Sequence, residues 1–101
     1  MTTQTRLSIA EDMTIYHALE HKHRLVEALD AADGLELDLS QVREIDTAGV
    51  QLLILTKREA AKRSKSLAIV AHSPAVRETL DFCNLMTFFV DPVVITAREQ
   101  C

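Results

Sequence analysis

The chain holds no tryptophan, two glycines, two prolines and two cysteines in 101 residues, and only 4% of it is aromatic. Each shortage closes a class of function. Two isolated glycines, Gly34 and Gly49, cannot build a glycine-rich phosphate loop, so no dedicated nucleotide motif is present. Cys83 and Cys101 form no CxxC pair. A buried thiol within "LDFCNL" and a free one at the last residue are expected, and redox function is not indicated. No apolar run approaches a membrane span, and the polar start "MTTQTR" is unlike a signal peptide, so a cytoplasmic protein without direct membrane insertion is expected. A basic excess is missing as well. Eleven Lys and Arg against 15 Asp and Glu leave a net charge of −4, which argues against nucleic acid or an anionic membrane as the main partner.

What remains is an ordinary soluble mixture, 48% hydrophobic and 26% charged. That suffices for one small domain over residues 1–101, with a core that needs neither metal nor disulfide. "RLSIAE" alternates Leu7 and Ile9 against polar neighbours, the pattern of a half-buried strand. "MTIYHA" places a second short strand around Thr14 to Tyr16. With Glu11 and Asp12 as the turn, the two strands are expected to pair antiparallel. From Ala18 to Ala32 the period becomes helical, with Leu19, Leu25, Val26 and Leu29 in one arc, and Asp33-Gly34 stops it.

"LELDLS" puts Leu35, Leu37 and Leu39 on one face of a strand. A helix opened by "DTAG" runs to about Ser64, ending in Lys57, Arg58, Lys62 and Arg63, cations suited to the negative end of the helix dipole. That basic run reads as a solvated helix end, or as a docking patch for an acidic surface. "LAIVA" is a short apolar strand of the kind covered on both faces. Ser73 caps the next helix, with Pro74 in its first position. "TFFV" (87–90) reads as a last strand, and "VVITAREQC" stays open between strand and short helix. The expected architecture is α/β: a central mixed sheet with an N-terminal antiparallel pair and helices packed on it.

The chemistry concentrates in "VREIDTAGVQLLIL". A strand region hands over to a helix through an acid, a hydroxyl and two small residues: Asp46, Thr47, Ala48 and Gly49. In sheets of this kind, ligand and signalling sites gather where strands pass into helices. The plain reading is a capped helix start with small residues that allow close packing. The sharper reading uses the same geometry. A hydroxyl exposed at a helix mouth is open to modification by another protein, and a phosphate there adds about −1.5 to −2 charge. The helix dipole tolerates that charge. A partner packed over it would have to desolvate a dianion. The helix itself divides its apolar residues. Gly49, Val50, Leu53, Ile54 and Ala61 gather on one side, and Ala48, Leu52 and Leu55 on the other, a surplus ridge for a neighbouring helix or a docked partner.

"LELDLSQVREIDTAGVQLLILTKREA" resembles the core motif of STAS domains, the family of bacterial anti-sigma factor antagonists: a strand ending in D-L-S-x-V, then D-[ST]-[SAG]-G-[LV] opening a helix. The resemblance extends through "LAIVAHSPAVRETLDFCNL" to "FFV". It implies a STAS-like fold and a non-enzymatic regulatory protein. It also implies that Thr47, directly after Asp46, is the phosphoacceptor of a partner kinase. With the surplus ridge added, the expected partner surface comprises Asp46, Thr47, Ala48, Gly49, Leu52 and Leu55, and the partner implied by the resemblance is an anti-sigma factor, a serine/threonine kinase or a chemotaxis-type kinase. Family members often read "DSSG"; Thr47 keeps the hydroxyl and Ala48 replaces the second serine. Sequences with Thr also resemble STAS subunits of lipid-transport ABC systems, so a transporter subunit without a phospho-switch stands as the alternative. No cofactor is implied, and self-association is left open.

"HALEH" (17–21) matches H-x-x-E-H, a zinc-peptidase pattern that sets His17 and His21 on one helix face. His17 sits at the helix start, His23 lies off that face, and so small a domain has little room for a substrate cleft. Solvent-facing histidines are the expectation, and no metal site or catalytic group is assigned.

Overall fold

A computed structural model of the protein describes residues 4–90, apart from the side chains of Thr87 and Val90. The elements, in chain order, are β1 (Gln4–Ser8), a single 3-10 turn (Ile15–His17), α1 (Ala18–Ala31), β2 (Gly34–Leu39), α2 (Thr47–Lys62), β3 (Ser66–His72), α3 (Pro74–Phe82) and α4 (Met86–Val90). The three strands form one sheet in the order β1-β2-β3. Both pairings are parallel, with Leu7 opposite Leu37 and Leu37 opposite Ile69.

The expected antiparallel N-terminal pair is therefore absent among the described residues, whose sheet is parallel rather than mixed. A tight hairpin needs positive φ in its turn, and neither Glu11 nor Asp12 adopts it. The chain instead crosses the end of the sheet. Ile9 N–H still reaches the Asp38 carbonyl at 3.1 Å, and Met13 then makes an isolated parallel bridge with Ile45. Ile15 and Tyr16, read as strand residues, sit in the 3-10 turn with their side chains in solvent, Tyr16 at 90% exposure.

Alternation along the strands sets the core. Leu35, Leu37, Leu39, Leu67 and Ile69 are buried and join Leu25 and Leu29 of α1, Leu53 of α2, Val76 and Leu80 of α3 and Phe89 of α4 in one cluster. On the opposite sheet face Arg6 reaches Glu36 at 3.5 Å, both side chains largely in water. Val70 is exposed and Ala68 only half-buried, so among the described residues β3 is fully covered on one face only, against the expectation of two.

"TFFV" is helical, not extended. Asn84 takes a left-handed conformation (φ 59°), Leu85 N–H bonds back to the Leu80 carbonyl at 2.8 Å, and the reversed chain winds into α4. Four apolar residues carry no period that separates helix from strand; the turn at Asn84 and the burial of Phe89 decide for helix. "VVITAREQC" and Cys101 lie outside the described residues. Cys83, expected buried, is exposed at the end of α3.

The basic end of α2 is largely engaged by the fold. Lys57 is half-buried and donates to the Leu67 carbonyl at 2.6 Å, with its ammonium 5.9 Å from the Phe88 ring; that burial lowers its pKa. Arg63 bonds Glu59 and Asp30, and Lys65 donates to the Leu29 carbonyl. Arg58 and Lys62 remain exposed. A solvated helix end thus describes only part of that run.

Candidate functional site

The mouth of α2 is built by Asp46. It is the N-cap residue (φ −117°, ψ −173°). Its Oδ1 accepts from Gly49 N–H at 3.1 Å and its Oδ2 from Ile15 N–H at 3.1 Å. Its own N–H donates to the Met13 carbonyl at 3.1 Å, and Met13 N–H donates to the Glu44 carbonyl at 2.8 Å. One carboxylate thereby ties two stretches of chain 31 positions apart, satisfying one orphan donor of the helix and one of the preceding turn. The Gly49 hydrogen bond, with further ones from Ile15 and Ala48 outweighing partial desolvation, holds the Asp46 carboxyl below its ordinary pKa. An acid whose folded pKa is depressed contributes its stability above the unfolded value and loses it as pH falls through the folded one. Asp46→Asn is therefore expected to lower the thermal midpoint at neutral pH and to flatten the acid limb of stability. Subtracting melting curves of the two proteins from pH 7 to pH 2 isolates this from Asp38, whose carboxyl is likewise lowered by Ser40.

Gly49 is buried, and its place in the first turn of α2 is dictated by Met13. A Cβ added there would lie 2.1 Å from the Met13 carbonyl oxygen and 3.0 Å from Ile45 Cγ1. Only glycine lets the crossing chain lie this close, and that approach brings Met13 and Ile15 within reach of Asp46.

Thr47 is the first residue of α2 and is exposed; its hydroxyl makes no hydrogen bond to any described residue. On one side lies a cleft lined by Thr14, Glu44, Asp46, Glu78 and Thr79. On the other, Ala48 and Leu52 are half-buried and Leu55 is exposed, lining a hollow with Ile15 and Leu19. The surplus ridge on α2 is thus divided: Leu52 packs on the core and Leu55 stays in water. The opposite face buries Gly49, Val50, Leu53, Thr56 and Ala60, whereas Ala61, expected there, is exposed. Leu55→Glu is expected to leave the thermal midpoint within about 4 °C, since exposed sites shift stability by about 0.5 kcal/mol or less; circular dichroism melting checks this.

Sequence reasoning missed Ile15 and Met13, because an irregular segment carries no period to read. It also misplaced His21. That ring is fully buried, not solvent-facing, and its Nε2 lies 3.0 Å from the Asp12 carbonyl, which can only accept, so Nε2 is the donor. Its Nδ1 is buried without a partner among the described residues. His21 thus fastens the segment that carries Met13. The His17 and His21 rings do share a face, with centroids 6.0 Å apart. Among the described residues no group of three His, Cys, Asp or Glu is placed to hold a metal ion, and no helix is long and apolar enough to cross a membrane.

The family model "Mlab, STAS domain" matches residues 2–94. The chain belongs to the STAS family. Among solved structures, the STAS chain resembles the anti-sigma factor antagonist SpoIIAA in its unphosphorylated form, with a TM-score of 0.72 at 13% identity, covering 98% of this chain and 91% of that one. It also resembles the Bacillus cell fate determinant SpoIIAA in its phosphorylated form, with a TM-score of 0.67 at 15% identity, covering 99% and 92%. At such identities the likeness is one of fold. No curated protein matches the sequence.

Proposed function

We propose that this STAS domain is a non-enzymatic regulatory binding module whose partner docks over the mouth of α2 and leaves when Thr47 is phosphorylated. The observation that carries the reading is the division of labour at the helix start. The side-chain hydrogen bonds at this helix start come from Asp46, and the Thr47 hydroxyl is exposed and unbonded among the described residues. A phosphate there meets the positive end of the α2 dipole, which favours it. The Asp46 carboxylate repels it and keeps it outward. A partner packed on Ala48, Leu52 and Leu55 would bury that dianion, and burying an unmatched charge is strongly unfavourable.

The partner class that fits is an anti-sigma factor, a serine/threonine kinase or a chemotaxis-type kinase. The experiment is phosphopeptide mapping after incubation with the kinase encoded nearest the gene. Label on Thr47 alone supports the switch, and label on any other residue removes it. A second reading, an accessory subunit of a lipid-transport ABC system with Thr47 as a contact only, is favoured by Thr47 and Ala48 standing where antagonists often carry serines. It expects equal partner binding by wild type, Thr47→Ala and Thr47→Glu.

A further inference from the structure

We infer that the seam between α1 and α2 receives one amphipathic helix of the partner, about four turns long, bearing a carboxylate that meets Lys22. The inference rests on the docking reading above for its biological setting, but its geometry is independent of phosphorylation. Three large apolar side chains stand open along this seam: Ile15 at 67% exposure, Leu19 at 68% and Leu55 at 60%. Two adjoining hollows share Lys22, Leu52 and Leu55, and so form one trough. It starts beside Thr47 at Ala48 and ends at Arg63. Those fifteen helical steps span about 22 Å at the usual rise, the length of a helix of about 15 residues.

The walls choose the occupant's conformation. Both are helices with backbone groups bonded internally, so an added strand would find no ladder to join, whereas side-chain ridges suit a helix laid in a groove. The charges choose its chemistry. At the far end Glu59 and Arg63 pair with each other, and Arg63 also with Asp30. Lys22 lines both halves of the trough and has no ion pair among the described residues. A carboxylate is its complement. A second copy of the chain fits poorly, because a two-fold contact through the trough sets each Lys22, near the middle, against its like.

A display library tests this. Helical peptides of about 15 residues, apolar along one face and randomised elsewhere, are selected on the intact protein, and a winning peptide is titrated. The expected winners carry Asp or Glu at one mid-face position. Leu19→Glu and Lys22→Glu should each weaken the winner by about tenfold or more. A peptide with that acid changed to Lys should regain affinity for Lys22→Glu, while Thr47→Ala binds like wild type. Selection without acidic preference, or winners indifferent to both substitutions, overturns the inference. So does a wild-type dimer in sedimentation that Leu55→Glu dissociates, since the trough's occupant is then a second copy. No kinase enters this assay, so failure to label Thr47 would remove the switch and leave the trough result standing.

Discussion

Thr47→Glu is expected to weaken partner binding by two orders of magnitude or more while leaving the fold intact. The two halves of that expectation have separate causes. On the free domain the glutamate stands at the first position of α2, exposed, where a negative charge near the helix N-terminus is mildly favourable. Melting should therefore shift by no more than a degree or two. In the proposed complex the same carboxylate is buried without a cation, and an uncompensated buried charge is unfavourable by about 3–5 kcal/mol, or roughly a hundred- to several-thousandfold in affinity. Thr47→Ala, which only deletes an unbonded hydroxyl, should bind within a factor of a few of wild type. Isothermal titration of the three proteins against the partner decides it. Equal affinities would mean that nothing packs tightly over this residue.

Gly49→Ala should be the most destabilising conservative change at the site. Two effects oppose each other. Replacing glycine by alanine within a helix ordinarily stabilises by about 1 kcal/mol. Here the new methyl would meet the Met13 carbonyl oxygen at 2.1 Å. Both sides of that contact are backbone, so relief requires moving either the start of α2 or the segment that crosses the sheet. Overpacking of this kind is unfavourable by about 3 kcal/mol or more, and it wins. The midpoint should fall by on the order of 10 °C or more for a domain of this size. Ala48→Gly, one residue earlier and half-buried, lacks any such contact and should lose only about 1 kcal/mol. Unchanged melting of Gly49→Ala would show that the crossing segment yields easily and does not set the site. Amide exchange should also quicken at Ile15 in Gly49→Ala, because the Asp46 clasp depends on that close approach.

How much of this was legible in the residues differs by element. The helix starts at Asp46 and Ser73 were readable because a cap is a local device. Its acceptor and donor lie within three residues, and Ser73 does accept from Val76 N–H at 3.2 Å. The β2 leucines were readable because alternation is also local. The Thr14–Tyr16 segment was misread because so short a run has no period to set helix, strand and turn apart: Ile15 and Tyr16 both point to water, and Met13 just before them is buried. His21 was misread for a related reason. A polar ring at a helical position gives no sign that a carbonyl nine residues earlier will satisfy it. Cys83 shows the converse, an apolar neighbourhood in sequence that ends on the surface beside an exposed Phe82.

The amino-acid sequence by itself determined the order of most elements and the helix start at Asp46-Thr47, and its resemblance to STAS domains gave the family. The elements and the helix start follow from short-range pattern and spacing. Tertiary structure alone decided that the three described strands are parallel, that Met13 and Ile15 complete the mouth of α2, and that an apolar trough opens beside it. Those outcomes depend on which distant segments meet: Asp46 and Ile15 are joined by a carboxylate across 31 positions, and no window of sequence spans such a contact.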